Sequence, residues 1–140
     1  MTARLLDGQA LARQIQQELT PQVADFTRRH SRPPGLAIVL VGHDPASEVY
    51  VRHKLKAGGE VGFRADLERL PETASIDDVL GLVARLNDSA VHDGILVQSP
   101  LPAAMGADAE SRVFDAIAPE KDVDGFTPAN VGRMVQRRPA

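Results

Sequence analysis

Apolar positions along the chain follow two rhythms. Leu11, Ile15, Leu19, Val23 and Phe26 recur every three or four residues, the spacing of one helical face. Asp7 stands ahead of them as a candidate N-cap, and Arg28, Arg29 and His30 suit the negative end of the helix dipole. Pro21 lies inside the pattern and predicts a kink, or two helices in place of one. Leu36 to Val41 then form an unbroken apolar run, the mark of a strand covered on both faces; Gly42 ends it. Asp44 and Pro45 read as N-cap and first residue of a helix over about 46–61. Gly58 and Gly59 weaken that helix by about 2 kcal/mol relative to alanines.

The second half repeats the alternation. Residues 63–70 read as a weaker strand, suited to a sheet edge. Ser75 and Asp78 form a capping box opening a helix whose apolar face is Ile76, Val79, Leu80, Val83 and Leu86. Residues 94–98 make a second buried strand, left by a stiff, proline-rich loop from Ser99 to Pro102. A helix over 107–118 turns Val113, Phe114 and Ile117 inward. Residues 122–125 form a turn and 128–135 a short last helix. Helices alternating with buried strands predict an α/β fold, a three-layer α/β/α domain on a mainly parallel sheet of about four strands.

Composition narrows the classes. The 140 residues suffice for one domain, or one domain and the stub of another. A 43% hydrophobic and 25% charged composition is that of a globular chain. Aromatics are scarce, so the core rests on aliphatic side chains. A net charge of −3 gives no reason to expect nucleic acid or an acidic membrane as partner. The absence of cysteine excludes disulfides, thiolate metal sites and a cysteine nucleophile. No apolar run is long enough to span a bilayer, and a soluble, cytoplasmic protein is expected.

Several residues could carry chemistry. Tyr50 and Lys54 are four apart and share a helix face. That face is either a solvated boundary or a site. As a site it needs Lys54 partly desolvated beside a polar, uncharged partner, since an ordinary lysine (pKa ~10.4) stays protonated near neutrality. Gln98 closes an apolar strand, at the edge where parallel sheets bind ligands; it equally suits an amide satisfied by loop backbone. Asp122-Val123-Asp124-Gly125 is a ligand anchor or a plain turn, and too poor in oxygen ligands for a metal. His30, His43, His53 and His92 lack metal-ligand spacing and are expected to face solvent. Gly58, Gly59 and Gly62 follow a helix rather than a strand, so they are not a phosphate-binding loop.

Taken together, three segments resemble the methylenetetrahydrofolate dehydrogenase/cyclohydrolase family. They are Asp44 to Ser47 leading into Tyr50-Val51-Arg52-His53-Lys54, then Gly94 to Pro102, then Lys121 to Phe126. The order and spacing match over essentially the whole chain, including Asp7-Gly8 and Asn130-Val131-Gly132. The resemblance implies a folate-binding catalytic domain over residues 1–140, with the last few residues opening a linker to a Rossmann-type domain that nothing here represents. Tyr50 would pack on the folate rings, and Lys54 would be the central catalytic group. Gln98 would tune Lys54, Val97, Gln98 and Ser99 would touch substrate, and Asp122 would anchor the pterin edge. Lys54, Gln98 and Asp122 are thus the implied catalytic set. Two departures stand out: Ser99 replaces the leucine usual in that loop, and Gly58-Gly59 replaces helix formers.

The implied activity is NADP-dependent oxidation of methylenetetrahydrofolate, followed by hydrolysis of methenyltetrahydrofolate to the formyl compound, a step of one-carbon metabolism feeding purine biosynthesis. NADP would belong to a full-length parent, a homodimer by family, with no cofactor or metal expected on this chain. The rivals are a non-catalytic folate-binding fragment and the substrate domain of a shikimate-type dehydrogenase. One geometric expectation follows. Lys54 lies about 14 Å along an ideal helix from Pro45, so for Lys54 to meet Gln98 the helix must begin beyond the sheet edge or cross it obliquely, and the former is expected.

Overall fold

The computed structural model describes residues 6–138. Helix α1 (Gly8–His30) leads to strand β1 (Gly35–Val41), then α2 (Pro45–Val61), β2 (Arg64–Leu70), α3 (Ile76–Asn87), β3 (Gly94–Val97), α4 (Ala109–Ala116) and α5 (Pro128–Val135). The caps are those the sequence offers. Asp7 accepts from the Ala10 amide, Asp44 from Ser47, and Ser75 and Asp78 close a reciprocal box. Gly62, at φ 98°, ends α2 in the left-handed region that a side chain disfavours.

The sheet is parallel in the order β2-β1-β3, with three strands against an expectation of about four. The fourth place holds a single bridge, Ile95 to Asp122. Pro119 on one side and the Asp122 turn on the other leave too short an extended stretch for a strand. β1 is central and buried on both faces, and β2 lies at the edge as expected. Ala37, Val39, Val41, Ile95 and Val97 meet α3 and α4 through Val79, Val83, Leu86 and Val113. Ile38, Leu40 and Leu96 meet α2 through Val51 and Leu55. Both faces are therefore covered, giving the three-layer α/β/α class.

Two expectations for α1 are corrected. The helix runs unbroken through Pro21. Thr20 and Gln22 donate to the carbonyls of Gln16 and Glu18, flanking the bond that proline cannot make. The predicted apolar stripe is covered only in part: Val23 is buried, whereas Leu11 and Ile15 are 56% and 45% exposed. At 23 residues the helix is about 35 Å long, and its first half outruns the body of the domain.

Side chains lock the base of the sheet. Asp93 binds both ends of the Arg32 guanidinium at 2.6 and 2.8 Å and accepts from the Gly35 amide. Arg32 holds the Asp93 carboxyl down, against some burial, at about 2. A depressed carboxylate stabilises the fold above its unfolded value of 3.8, and that stability disappears as pH falls toward 2. Acid titration of Asp93→Asn is expected to lack this part of the unfolding transition; superimposable profiles would refute it.

His92 departs from expectation. It is buried, with Nδ1 against Ser89 Oγ at 2.9 Å and Nε2 against Asp66 at 3.0 Å. The other three histidines are exposed, as expected.

The Gly58-Gly59 pair has unequal parts. A methyl at Gly58 would meet Ala65 and Phe63, but one at Gly59 meets nothing within 4 Å. Gly59→Ala is expected to raise stability by roughly 0.5–1 kcal/mol, read as a higher denaturant midpoint at unchanged slope.

Candidate functional site

Two of the sequence-predicted residues come together directly. Lys54 Nζ donates to Gln98 Oε1 at 2.9 Å across 44 residues of chain. Gln98 sits one position past β3, where its amide nitrogen bonds Val39 and continues the ladder. Its side-chain Nε2 donates to the Ser99 carbonyl at 2.6 Å. That bond fixes the amide orientation and leaves Oε1 facing the lysine. Because the partner is an amide, it orients the Lys54 nitrogen without supplying a counter-charge.

Helix α2 makes the meeting possible by starting outside the sheet. Ser47, in its first turn, lies 3.5 Å from the carbonyl of Ser99, two residues beyond the end of β3. Lysine side chains on a helix lean toward its N-terminus, so the half-buried Lys54 stem reaches back to the strand end. The expected start beyond the carboxyl edge is what the geometry has. Tyr50, one turn before Lys54, is 60% exposed, offering a bare aromatic face beside the amine.

The acidic turn is arranged differently from expectation. Asp122 faces its own loop. One oxygen accepts from the Gly125 and Phe126 amides at 2.8 and 3.2 Å, the other from the Thr127 amide and Asn130 Nδ2 at 2.8 and 3.0 Å. Burial alone would raise its pKa, but the bonds from Thr127 and Asn130 prevail and hold it low. With four donors already on it, this carboxylate braces the turn and has little capacity left for a ligand.

Of the two aspartates, Asp124 is the one whose carboxyl feels the charge of Lys54. Desolvation raises its pKa, while the charge of Lys54 opposes the rise and that of Asp122 adds to it. On the α5 side of the turn, Asp122, Asp124, Asn130 and Arg133 line a hollow of about 370 Å³.

Lys121 anchors the turn from behind, its Nζ donating to the carbonyls of Leu86, Asn87 and Ser89 at the end of α3. Val97 is buried in the core, with its side chain on the α3 and α4 face, so only its backbone is available to a site. Ser99 contributes its carbonyl.

The role of Asp122 had a sequence signal: an aspartate three residues before glycine is the pattern of a side chain closing its own turn. Nothing local marked Lys121, whose partners lie over 30 residues away.

A parallel α/β domain with a lysine, an oriented amide and an exposed tyrosine at the carboxyl edge is of the class that binds small ligands at strand ends. The family follows from comparison. Residues 6–124 match the model of the tetrahydrofolate dehydrogenase/cyclohydrolase catalytic domain, and the chain belongs to that family. Solved structures agree. A 5,10-methylenetetrahydrofolate dehydrogenase from the silkworm Bombyx mori is 41% identical over 99% of the chain, with a TM-score of 0.93. The bifunctional methylenetetrahydrofolate dehydrogenase/cyclohydrolase of Campylobacter jejuni is 37% identical over 98%, with a TM-score of 0.89. The enzyme from Trypanosoma brucei, solved with NADP cofactor and an inhibitor, is 37% identical over 99%, again at 0.89. The chain spans 47% of the length of each of these structures. Among the described residues no helix is long and apolar enough to cross a membrane.

Proposed function

We propose that this chain is the folate-binding catalytic domain of a methylenetetrahydrofolate dehydrogenase/cyclohydrolase and carries the groups for hydrolysis of the methenyl bridge. The observation behind the reading is the contact between Lys54 and Gln98. Tyr50 gives the flat ring system an apolar face with a polar tip. Asp124, the carboxylate with free capacity, accepts hydrogen bonds from the aminopyrimidine edge and so orients the substrate. Asp122 holds the turn that presents Asp124. Ser99 and the backbone of Val97 border the substrate beside Gln98.

Water then adds to the electrophilic carbon bridging the two folate nitrogens. It loses one proton to solvent through Lys54, and cleavage of one carbon–nitrogen bond leaves the formyl group on the other nitrogen. Lys54 takes the first proton from the attacking water, and the hydroxyl proton of the adduct passes to the departing nitrogen as the carbon–nitrogen bond breaks. Gln98 keeps the amine aimed without trapping it as a salt bridge.

The nicotinamide cofactor of the dehydrogenase step is assigned to a full-length parent rather than to this chain. The β1–Gly42–α2 junction has a single glycine, and the Asp44 carboxylate already occupies the helix N-terminus. A second anion there would meet repulsion instead of free amides. In this reading a cofactor domain, such as the relatives' remaining length could hold, supplies the nicotinamide for the hydride step.

Calorimetric titration of the chain with a reduced folate tests the reading. Saturable one-to-one binding is expected. Absence of any heat at millimolar folate, or binding of shikimate instead, would sink it.

A further inference from the structure

The position of α2 decides whether Lys54 reaches Gln98, and most of what holds α2 does not fix that position. Val51 and Leu55 pack on the sheet through apolar contacts, which are non-directional and tolerate sliding. At its far end the helix contains Gly58 and Gly59, which stiffen it least. The direct tie to the loop after β3, from Ser47 to the Ser99 carbonyl, is long at 3.5 Å.

Besides the backbone bond from the Gly42 amide to the Leu70 carbonyl at 3.0 Å, one side-chain clamp holds the start of α2 among the described residues. Arg69, at the end of edge strand β2, grips Glu48 in the first turn of α2 with both guanidinium nitrogens, at 2.6 and 3.0 Å. The same nitrogen donates to the Gly42 carbonyl at 3.2 Å and lies 3.4 Å from His43 Nδ1. The fork thus spans three points of the segment that launches α2. Both side chains are two-thirds buried, and a planar bidentate pair of this kind defines distance and angle together. Arg69 also holds the Glu48 carboxyl below its usual range, so the pair stays charged through mild acid.

We propose that Arg69, acting through Glu48 and the Gly42 carbonyl, is a positioning residue that sets the register of α2 and with it the reach of Lys54 to Gln98. Arg69 touches no substrate in this arrangement. It works at a distance, as the peg that stops the helix from drifting along the sheet edge. The consequence for turnover rests on the proposed folate hydrolysis; the consequence for the Lys54–Gln98 contact does not.

The test therefore has two readouts on the full chain. In ¹⁵N-labelled protein, the Gln98 side-chain amide cross-peaks are assigned with Gln98→Glu, and their response to a lost lysine is defined with Lys54→Met. Arg69→Met and the milder Glu48→Gln are expected to move those peaks toward their Lys54→Met positions while the β1 amides stay in place. In methenyltetrahydrofolate hydrolysis the same variants are expected to lower kcat about tenfold or more with KM within about twofold, since a misplaced group costs rate more than binding. Gln98 peaks at wild-type positions in both variants overturn the clamp. A wild-type chain that neither binds nor hydrolyses the folate overturns the functional reading instead, and the spectra still decide the clamp. Should Arg69→Met fail to fold, Glu48→Gln carries both measurements.

Discussion

Lys54→Met is expected to slow hydrolysis of methenyltetrahydrofolate by roughly 10²–10⁴-fold, the span over which a positioned acid or base acts, while folate affinity shifts far less. Methionine keeps the length and apolar stem of the side chain and removes only the nitrogen. The packing of α2 on Leu96 and Leu40 does not involve that nitrogen. Gln98 keeps its bond to the Ser99 carbonyl and loses a partner only at Oε1, a cost of about 1 kcal/mol. A fall in kcat, read as loss of methenyl absorbance above the spontaneous rate, with a melting temperature lowered by only about 2–5 °C is therefore the signature. A raised KM at constant kcat would make Lys54 a binding group only. A wild-type chain with no decay above buffer would end the catalytic reading of this chain outright.

The two aspartates of the acidic turn are expected to separate cleanly. Asp122→Ala removes an ionised acceptor from three backbone amides and Asn130, and is expected to cost about 3 kcal/mol of stability. That is a large part of the 5–15 kcal/mol typical of a domain. Its carboxyl is held low by those bonds. By linkage its contribution is present above the ordinary carboxylate range and disappears as pH falls through the lowered value. Asp124 has the opposite sign. Its carboxyl is raised, chiefly by desolvation, so keeping it ionised at neutral pH works against folding. Asp124→Asn is expected to leave stability unchanged or slightly higher and to weaken reduced-folate binding by roughly 10–100-fold, the loss of a charge-assisted pair. A group that costs stability and supports binding is the pattern of a functional residue. Equal folate affinity in wild type and Asp124→Asn, with loss in a still-folded Asp122→Ala, would return the anchor to Asp122.

Much of the fold could be read from local chemistry, because local chemistry produces it. Asp7, Asp44 and Ser75 cap their helices because a short oxygen-bearing side chain before an apolar period satisfies amides that nothing else can. The continuous run of β1 announced a strand covered twice. The stripe on α1 misled because periodicity reports which face is apolar and says nothing of how far the neighbouring element extends beneath it. His92 escaped for a related reason: burial of an isolated polar residue depends on partners from elsewhere, here Ser89 and Asp66.

The candidate site divides along the same line. The residue types and their order were present in the chain itself, as Tyr50 and Lys54 on one helical face and Gln98 at a strand end, since helix pitch and strand polarity are local properties. Which aspartate keeps an uncommitted carboxylate was decided by the tertiary fold. Asp122 and Asp124 differ only in which donors the folded loop turns toward them. The long reach of Arg69 to Glu48 and of Lys121 to the end of α3 is likewise invisible until the strands are paired. Hydrogen-bond capacity is a property of a residue; its consumption is a property of the fold.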